Sequence, residues 1–288
     1  MYLIRYKNGS GIVKESVPDE IKEYFDNGNL AYECDGFYAD RFNLDYSNLE
    51  WDSREGTTRG GSSYVCFQGD IVIKASQVDD NNDYYLDSLF EPLAETVGIA
   101  LGLNMARCRC DFALIDNYVS PVCISDNFAK KDNPKHSLAF NIREKRVESA
   151  NELHGRGALW QDYLDKVLLL DIIMGNCDRH RKNIEIYDDN TPTPVFDTGT
   201  CMFSPDEVTS RNFHRLNPVT IDDILEFKWL RDYHIEKWLA LWKPKVKLNK
   251  FDSYAAVLGL PLCLRKVCAE ALDERVNWLF ANGFLRRI

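Results

Sequence analysis

Long apolar runs are missing from this chain. The longest, Val167 to Met174, is broken by Asp171, so nothing approaches the roughly 20 apolar residues of a membrane-crossing helix. Positive charge is also scarce. The 35 Lys and Arg stand against 45 Asp and Glu, a formal charge of −10. A general nucleic-acid binder carries a basic face, so direct nucleic-acid binding is not expected, although a local basic pocket for a phosphorylated ligand is compatible with this balance. Nine cysteines are present without a repeating pattern. Cys108 and Cys110 fit alternation along a strand better than a zinc knuckle, and no second cysteine/histidine pair sits at metal-ligand spacing, so a structural zinc is not expected. An odd count spread over so long a chain suggests reduced thiols in a cytoplasmic setting. Internal repeats, low-complexity segments and a Walker-type G-K-[S/T] loop are all absent. The start, Met1-Tyr2-Leu3-Ile4-Arg5-Tyr6-Lys7-Asn8, reads as a first strand and not as a signal peptide, because charge interrupts it at once.

What is present is enough apolar material for a packed core: 45% hydrophobic residues, with 12% aromatics, in 288 residues. That length suits one large domain or one two-lobed unit. Residues 2–6 and 11–14 predict a hairpin around Asn8-Gly9-Ser10-Gly11, whereas residues 20–50 follow no usable pattern. A glycine-rich stretch, with Gly56 and then Gly60-Gly61-Ser62-Ser63, leads into an alternating strand at Tyr64-Val65-Cys66-Phe67. After the turn Gln68-Gly69-Asp70 comes a second strand, Ile71 to Ala75. Leu86, Leu89, Phe90, Leu93, Val97 and Ala100 recur at helical spacing, predicting a helix over 84–101 that stops at Gly102 and carries Pro92 within it. Strands are expected at 107–115 and 119–124, and helices at 157–174, 219–243 and 262–284. The fold class is therefore α+β, two-lobed, with a β-rich N-terminal lobe over 1–128 and a mainly helical lobe over 129–288.

The chemistry concentrates in Met174 to Gly199. An apolar helix ends at Gly175-Asn176, and a polar loop follows: Cys177-Asp178-Arg179-His180-Arg181-Lys182-Asn183. A hairpin is expected next, Ile184 to Tyr187 and Pro194 to Phe196, ending on Asp197-Thr198-Gly199. Phosphoryl transfer requires a carboxylate to orient and deprotonate the attacking hydroxyl, and oxygen ligands for magnesium. Asp178 supplies the first; Asn183 and Asp197 supply the second. The five-residue step from Asp178 to Asn183 equals that of the protein-kinase catalytic loop. Asp and Asn also form ordinary loops, so it is the order of helix, loop, hairpin and Asp-x-Gly that carries the reading.

The string Asp178-Arg179-His180-Arg181-Lys182-Asn183, with Asp197 after it, resembles the loops of the HipA-like serine/threonine kinases and is also similar to those of phosphatidylinositol 3/4-kinases. The resemblance implies a kinase-like fold, ATP and Mg2+ as cofactors, and a protein substrate. For some HipA-like members it implies a toxin–antitoxin setting, hence an antitoxin or other regulatory partner. His180 is expected to brace the loop around Asp178 or to stack against the strand that carries Asp197, and Arg179, Arg181 and Lys182 to add local positive charge for phosphates. Asp171, on the apolar helix before the loop, is expected to cap or brace it.

A kinase of this kind needs a lysine for the ATP phosphates and a helix glutamate to position it. Lys74 is the candidate lysine. Glu91 takes the place of the helix glutamate in HipA-like kinases, with Glu95, one turn on, as its rival. Gly60, Gly61, Ser62 and Ser63 would form the phosphate-covering loop, and the resemblance makes Ser62 and Ser63 candidates for autophosphorylation. Residues 122–128 would form the adenine hinge, with Asp126 near the ribose. Besides a HipA-like protein kinase, the sequence is compatible with a lipid or small-molecule kinase, with a pseudokinase binding module, and with transfer of AMP.

Overall fold

In the computed structural model the described residues are 2–6, 11–14, 31–34, 37–41, 44–45, 64–76, 87–115, 118–128, 135–137, 150–176, 178–179, 183–199, 201–203, 218–226, 245–246 and 262–287. The glycine-rich segment 60–63 and His180, Arg181 and Lys182 lie outside them.

The architecture is α+β, with largely antiparallel sheets and packed helices. The N-terminal hairpin forms as its turn residues predict: β1 (Tyr2–Tyr6) pairs antiparallel with β2 (Gly11–Lys14). The region that sequence left unassigned supplies β3 (Ala31–Cys34) and β4 (Phe37–Arg41), giving a four-stranded sheet in the order β2-β1-β4-β3. A second sheet contains β5 (Leu44–Asp45), β6 (Tyr64–Gln68), β7 (Ile71–Ala75), β8 (Cys108–Ile115) and β9 (Tyr118–Asp126), in the order β5-β8-β9-β7-β6. Its register sets Lys74 of β7 opposite Cys123 of β9.

Helix α1 (Asp87–Ala100) packs on β8 and β9. Pro92 lies in its second turn, and the helix continues through it. The short strand β10 (Lys135–Ser137) pairs antiparallel with β11 (Glu185–Tyr187). Helices α2 (Ala150–His154), α3 (Ala158–Met174), α4 (Ile221–Glu226) and α5 (Leu262–Ala281) follow one another along the second half of the chain, with a two-residue parallel pairing of β12 (Lys245–Val246) and β13 (Arg286–Arg287). Residues 227–244, part of an expected helix, lie outside the described residues.

The main core forms around α3, whose residues from Val167 to Met174 are all buried, together with Leu93 and Val97 of α1 and Leu272 and Leu279 of α5. Each apolar side chain among them, fully buried, contributes about 1.5–3 kcal/mol. A smaller cluster of Cys66, Ile73, Ala75, Val122 and Ile124 lies on the second sheet. Helix α3 ends as its sequence predicts: Gly175 is left-handed at φ 65°, and Asn176 N–H donates to the Asp171 carbonyl at 2.9 Å. Glycine suits this position because it carries no Cβ.

One expectation about the backbone needs correction. Pro194-Val195-Phe196 does not form the second strand of a hairpin with β11. Pro192 makes an isolated bridge to Ile186, and Val195 pairs in parallel with Met105 just after α1. Prolines at 192 and 194 remove ladder donors, so this stretch takes single pairings where a regular strand would need a series.

Candidate functional site

Three segments meet at Lys74. Strand β7 carries the lysine, and its neighbours Ile73 and Ala75 are buried. Lys74 Nζ donates to Glu91 Oε1 of α1 at 2.8 Å and to Asp197 Oδ1 at 2.7 Å. Lys74 and Glu91 are largely withdrawn from water, with side chains 12% and 10% exposed, whereas Asp197 is partly open at 34%. Burial alone would push the lysine pKa down. The carboxylates of Asp197 and Glu91 outweigh it and hold the ammonium above its ordinary value. The cation is therefore fixed at any neutral pH.

Only one of the two helix glutamates can face Lys74, because one helical turn separates them. Glu91 does so. Glu95 Oε2 instead accepts the backbone N–H of Cys108 at 2.9 Å.

Asp197 sits at φ 57°, in the left-handed region that non-glycine residues seldom occupy. Neighbouring contacts hold it there. Val195 is locked to the loop after α1 on both sides: Val195 N–H donates to Asn104 C=O at 2.8 Å, and Ala106 N–H donates to Val195 C=O at 2.9 Å. On the far side, Gly199 lies against the start of α1. A Cβ on it would fall 2.9 Å from the Asp87 carbonyl oxygen, which is backbone and cannot swing away. The glycine of Asp-Thr-Gly is thus required by close approach.

Asp178 and Asn183 are joined across the loop. Asn183 Nδ2 donates to the Asp178 carbonyl at 3.2 Å, and Asp178 N–H donates to Asn176 Oδ1 at 3.1 Å. Asn183 is buried, whereas Asp178 is exposed. With the Asn183 amide nitrogen committed to a carbonyl, its oxygen is the atom a cation would take. That oxygen and the Asp197 carboxylate are hard donors of the kind magnesium prefers, so the residues fit such an ion.

Arg179 departs from its sequence reading. It does not offer charge to a phosphate. Its guanidinium is buried, with Nε and Nη2 on the Asp171 carboxylate at 3.0 Å each, and Nη1 donates to the carbonyls of Phe196 at 3.1 Å and Asn183 at 3.4 Å. One side chain thereby ties α3 to the residue before Asp197 and to Asn183 itself. Asp171 braces the loop, as expected, and also accepts from Asn176 Nδ2 at 2.9 Å.

Asp126 makes no contact with Lys74 among those described. It is exposed at the end of β9, paired with Ile71, and its N–H donates to Arg107 C=O at 2.9 Å. It lies three residues, about 10 Å of strand, beyond the level of Lys74. The chain after it does reach the site region: Phe128 C=O accepts from Tyr187 Oη at 2.8 Å, and the Phe128 ring packs on Phe196 with centroids 5.3 Å apart. His180, Gly60, Gly61, Ser62 and Ser63 fall outside the described residues.

Among solved structures, the Helicobacter pylori proinflammatory kinase CtkA is similar over 81% of this chain and 94% of its own, at 15% identity and a TM-score of 0.50. The fold is kinase-like. HipA of Shewanella oneidensis, from a toxin–antitoxin complex with HipB and operator DNA, aligns over 96% of this chain and 67% of its own at 14% identity. Its TM-score of 0.38 is too low to argue a shared fold from. No protein-family model matches the sequence, and no curated protein matches it. At these identities the likeness concerns the fold, and the site has to be argued from its own geometry.

Within this kinase-like fold, sequence reasoning missed three contributors. Asn176 links Asp171 to the Asp178 backbone; its place directly after a helix-ending glycine was the available signal. Arg179 as an internal brace had none, because a buried arginine and a phosphate-binding one look alike in sequence. Arg275 of α5 donates from Nη1 to Ile173 C=O at 3.1 Å and from Nη2 to Val219 C=O at 2.6 Å, supporting the end of α3 from beneath.

Proposed function

We propose that this protein is an ATP- and magnesium-dependent phosphotransferase, a two-lobed HipA-like kinase that phosphorylates serine or threonine hydroxyls of a protein. The observation that carries this reading is Lys74 Nζ held between Glu91 and Asp197 at 2.8 and 2.7 Å. A lysine fixed by a helix carboxylate beside a second, partly exposed carboxylate is arranged to receive a metal-bridged polyphosphate. The kinase-like fold supports the same reading, as does the junction of Asp178 and Asn183.

Lys74 would meet the α- and β-phosphate oxygens, with Glu91 keeping it in place. Asn183 and Asp197 would hold magnesium, which when bound neutralises charge on the phosphate oxygens. Asp178 would orient the acceptor hydroxyl and take its proton as the oxygen bonds to the γ-phosphorus and the bond to the ADP oxygen breaks. The glycine-rich residues Gly60, Gly61, Ser62 and Ser63 would cover the phosphates, with Ser62 or Ser63 as autophosphorylation sites. His180 would brace the loop, and Asp126 with the segment to Phe128 would face the nucleoside. The N-terminal lobe would comprise 1–128 and the C-terminal lobe 129–288. An antitoxin-like regulator and a cytoplasmic site of action go with this reading; no helix of the described residues is long and apolar enough to cross a membrane.

The test is transfer of label from ATP with magnesium to the protein itself or to a protein acceptor. Asp178→Ala should lower the rate by about 10²- to 10⁴-fold, and Asp197→Ala should abolish magnesium-dependent transfer, both with unchanged circular dichroism. Near-normal activity in either variant would overturn the site. Turnover on an inositol lipid with no labelled protein would overturn the protein acceptor.

A further inference from the structure

The Lys74–Glu91 pair has a second neighbour that phosphoryl transfer does not use. Glu91 divides its oxygens: Oε1 accepts from Lys74, and Oε2 accepts from the Cys123 thiol at 3.4 Å. Cys123 is opposite Cys110 in the register of β8 and β9, and Cys108 stands two positions along β8. The Cys108 and Cys123 sulfurs and a Glu91 oxygen all lie within 4.8 Å of one another. Glu91 and Cys123 are buried, and Cys108 is only partly so, which leaves an approach from outside.

We infer that Glu91, Cys108 and Cys123 form a binding site for a thiophilic divalent cation of the zinc class, which fastens α1 to the sheet and pins Glu91 at Lys74. Two thiolates and a carboxylate suit zinc and exclude magnesium or calcium. A tetrahedral zinc with bonds of about 2.0–2.3 Å holds its sulfur and oxygen ligand atoms roughly 3.5–3.8 Å apart. The cluster, with its ligand atoms within 4.8 Å of one another, therefore needs to contract by at most about 1.3 Å, leaving one coordination position for water. Glu95 already orients the site from behind by accepting the Cys108 N–H.

The charge balance favours binding here. One dication enters and two thiol protons leave, so the net charge beside Lys74 does not change and its attraction to Glu91 survives. A disulfide is the weaker use of these sulfurs. Hydrogen bonding to Cys108, burial and the Glu91 charge all push the Cys123 thiol well above its ordinary value. The Cys108 thiol also stands above its ordinary value: its contact with Cys123 lowers it, but burial and the nearby carboxylates outweigh that. Protonated thiols are poor nucleophiles, whereas a metal displaces the protons directly.

Metal binding does not depend on the phosphotransferase reading; only its expected benefit to catalysis, through a fixed Glu91, rests on it. The experiment adds zinc to the metal-free full-length protein at neutral pH. Zinc should protect Cys108 from alkylation, as followed by peptide mass spectrometry, and should raise the melting temperature. Cobalt should give a thiolate-to-metal charge-transfer band. Cys108→Ser, at a partly exposed position, should lose all three effects, and Cys268→Ser on α5 should keep them. Equal alkylation of Cys108 with and without zinc in the wild-type chain would overturn the site. So would an undiminished cobalt band in Cys108→Ser. The alkylation result needs no variant to fold, and phosphotransfer absent from every sample would overturn the kinase reading while leaving the metal result as measured.

Discussion

Arg179 illustrates what a single side chain is asked to do here. It is 4% exposed and its partner Asp171 is fully buried. Burial alone would lower the guanidinium pKa, but Asp171 beside it holds the pKa above its ordinary value. Such a pair contributes little net stability over an apolar replacement, but breaking it leaves an uncompensated buried charge. Arg179→Met should therefore cost about 3–5 kcal/mol in denaturant unfolding, and Asp171→Leu/Arg179→Met should recover much of it. If Arg179 instead served ATP phosphates, the single variant would unfold like wild type and only nucleotide affinity would fall. The adjacent residue, Asp178, is exposed, so neighbours in sequence face opposite ways: one braces the buried side of the loop and the other meets solvent.

At the scale of the element, α3 carries the site and also an internal strain of charge. Its Asp165 is buried, and His154 Nε2 of α2 lies 3.4 Å from Asp165 Oδ1 without the geometry of a hydrogen bond. Burial, with a smaller part from Asp162, pushes the Asp165 carboxyl up to about 6. Burial also lowers the His154 pKa, so the protonated imidazole is disfavoured beside the carboxylate. The folded state holds the Asp165 proton more tightly than the unfolded chain, whose value is 3.8. This contribution is complete below pH 3.8 and lost as pH rises through about 6. The loss amounts to roughly 2–3 kcal/mol. Asp165→Asn should remove it: the variant should be more stable than wild type at pH 7, and the gap should close towards pH 4. An unchanged difference across that window, measured by urea unfolding, would count against the assignment. A helix this apolar was easy to predict; that it buries two aspartates, one paired and one not, was beyond its periodicity.

Across the whole molecule, β7, α1 and the segment around Asp197 converge on Lys74, and a polyphosphate bound there would bridge elements far apart in sequence. Magnesium with a non-hydrolysable ATP analogue at about 100-fold above its Kd should raise the melting temperature by roughly 5 °C, and Lys74→Met should lose most of that shift. Calorimetry that detects no magnesium-dependent nucleotide binding would defeat every enzymatic reading. The strands at 2–6, 11–14, 64–68 and 71–75 and the helix ending at Met174 follow from the sequence by itself, because alternation, helical spacing and turn glycines act over a few residues. The order Asp178, Asn183, Asp197 was legible for the same reason, since a loop and a short return span little chain. Tertiary structure decided the rest. Prolines left Val195 to pair with Met105 and not with β11; the position of α1 along its axis chose Glu91 over Glu95, one turn on; and packing turned Arg179 inward. The scattered cysteines of the sequence gave no metal-ligand spacing, yet the register of two strands and the docking of one helix bring Cys108, Cys123 and Glu91 together. Proximity between residues 17 or 32 positions apart is set by which elements pack and at what register, and no local pattern encodes that.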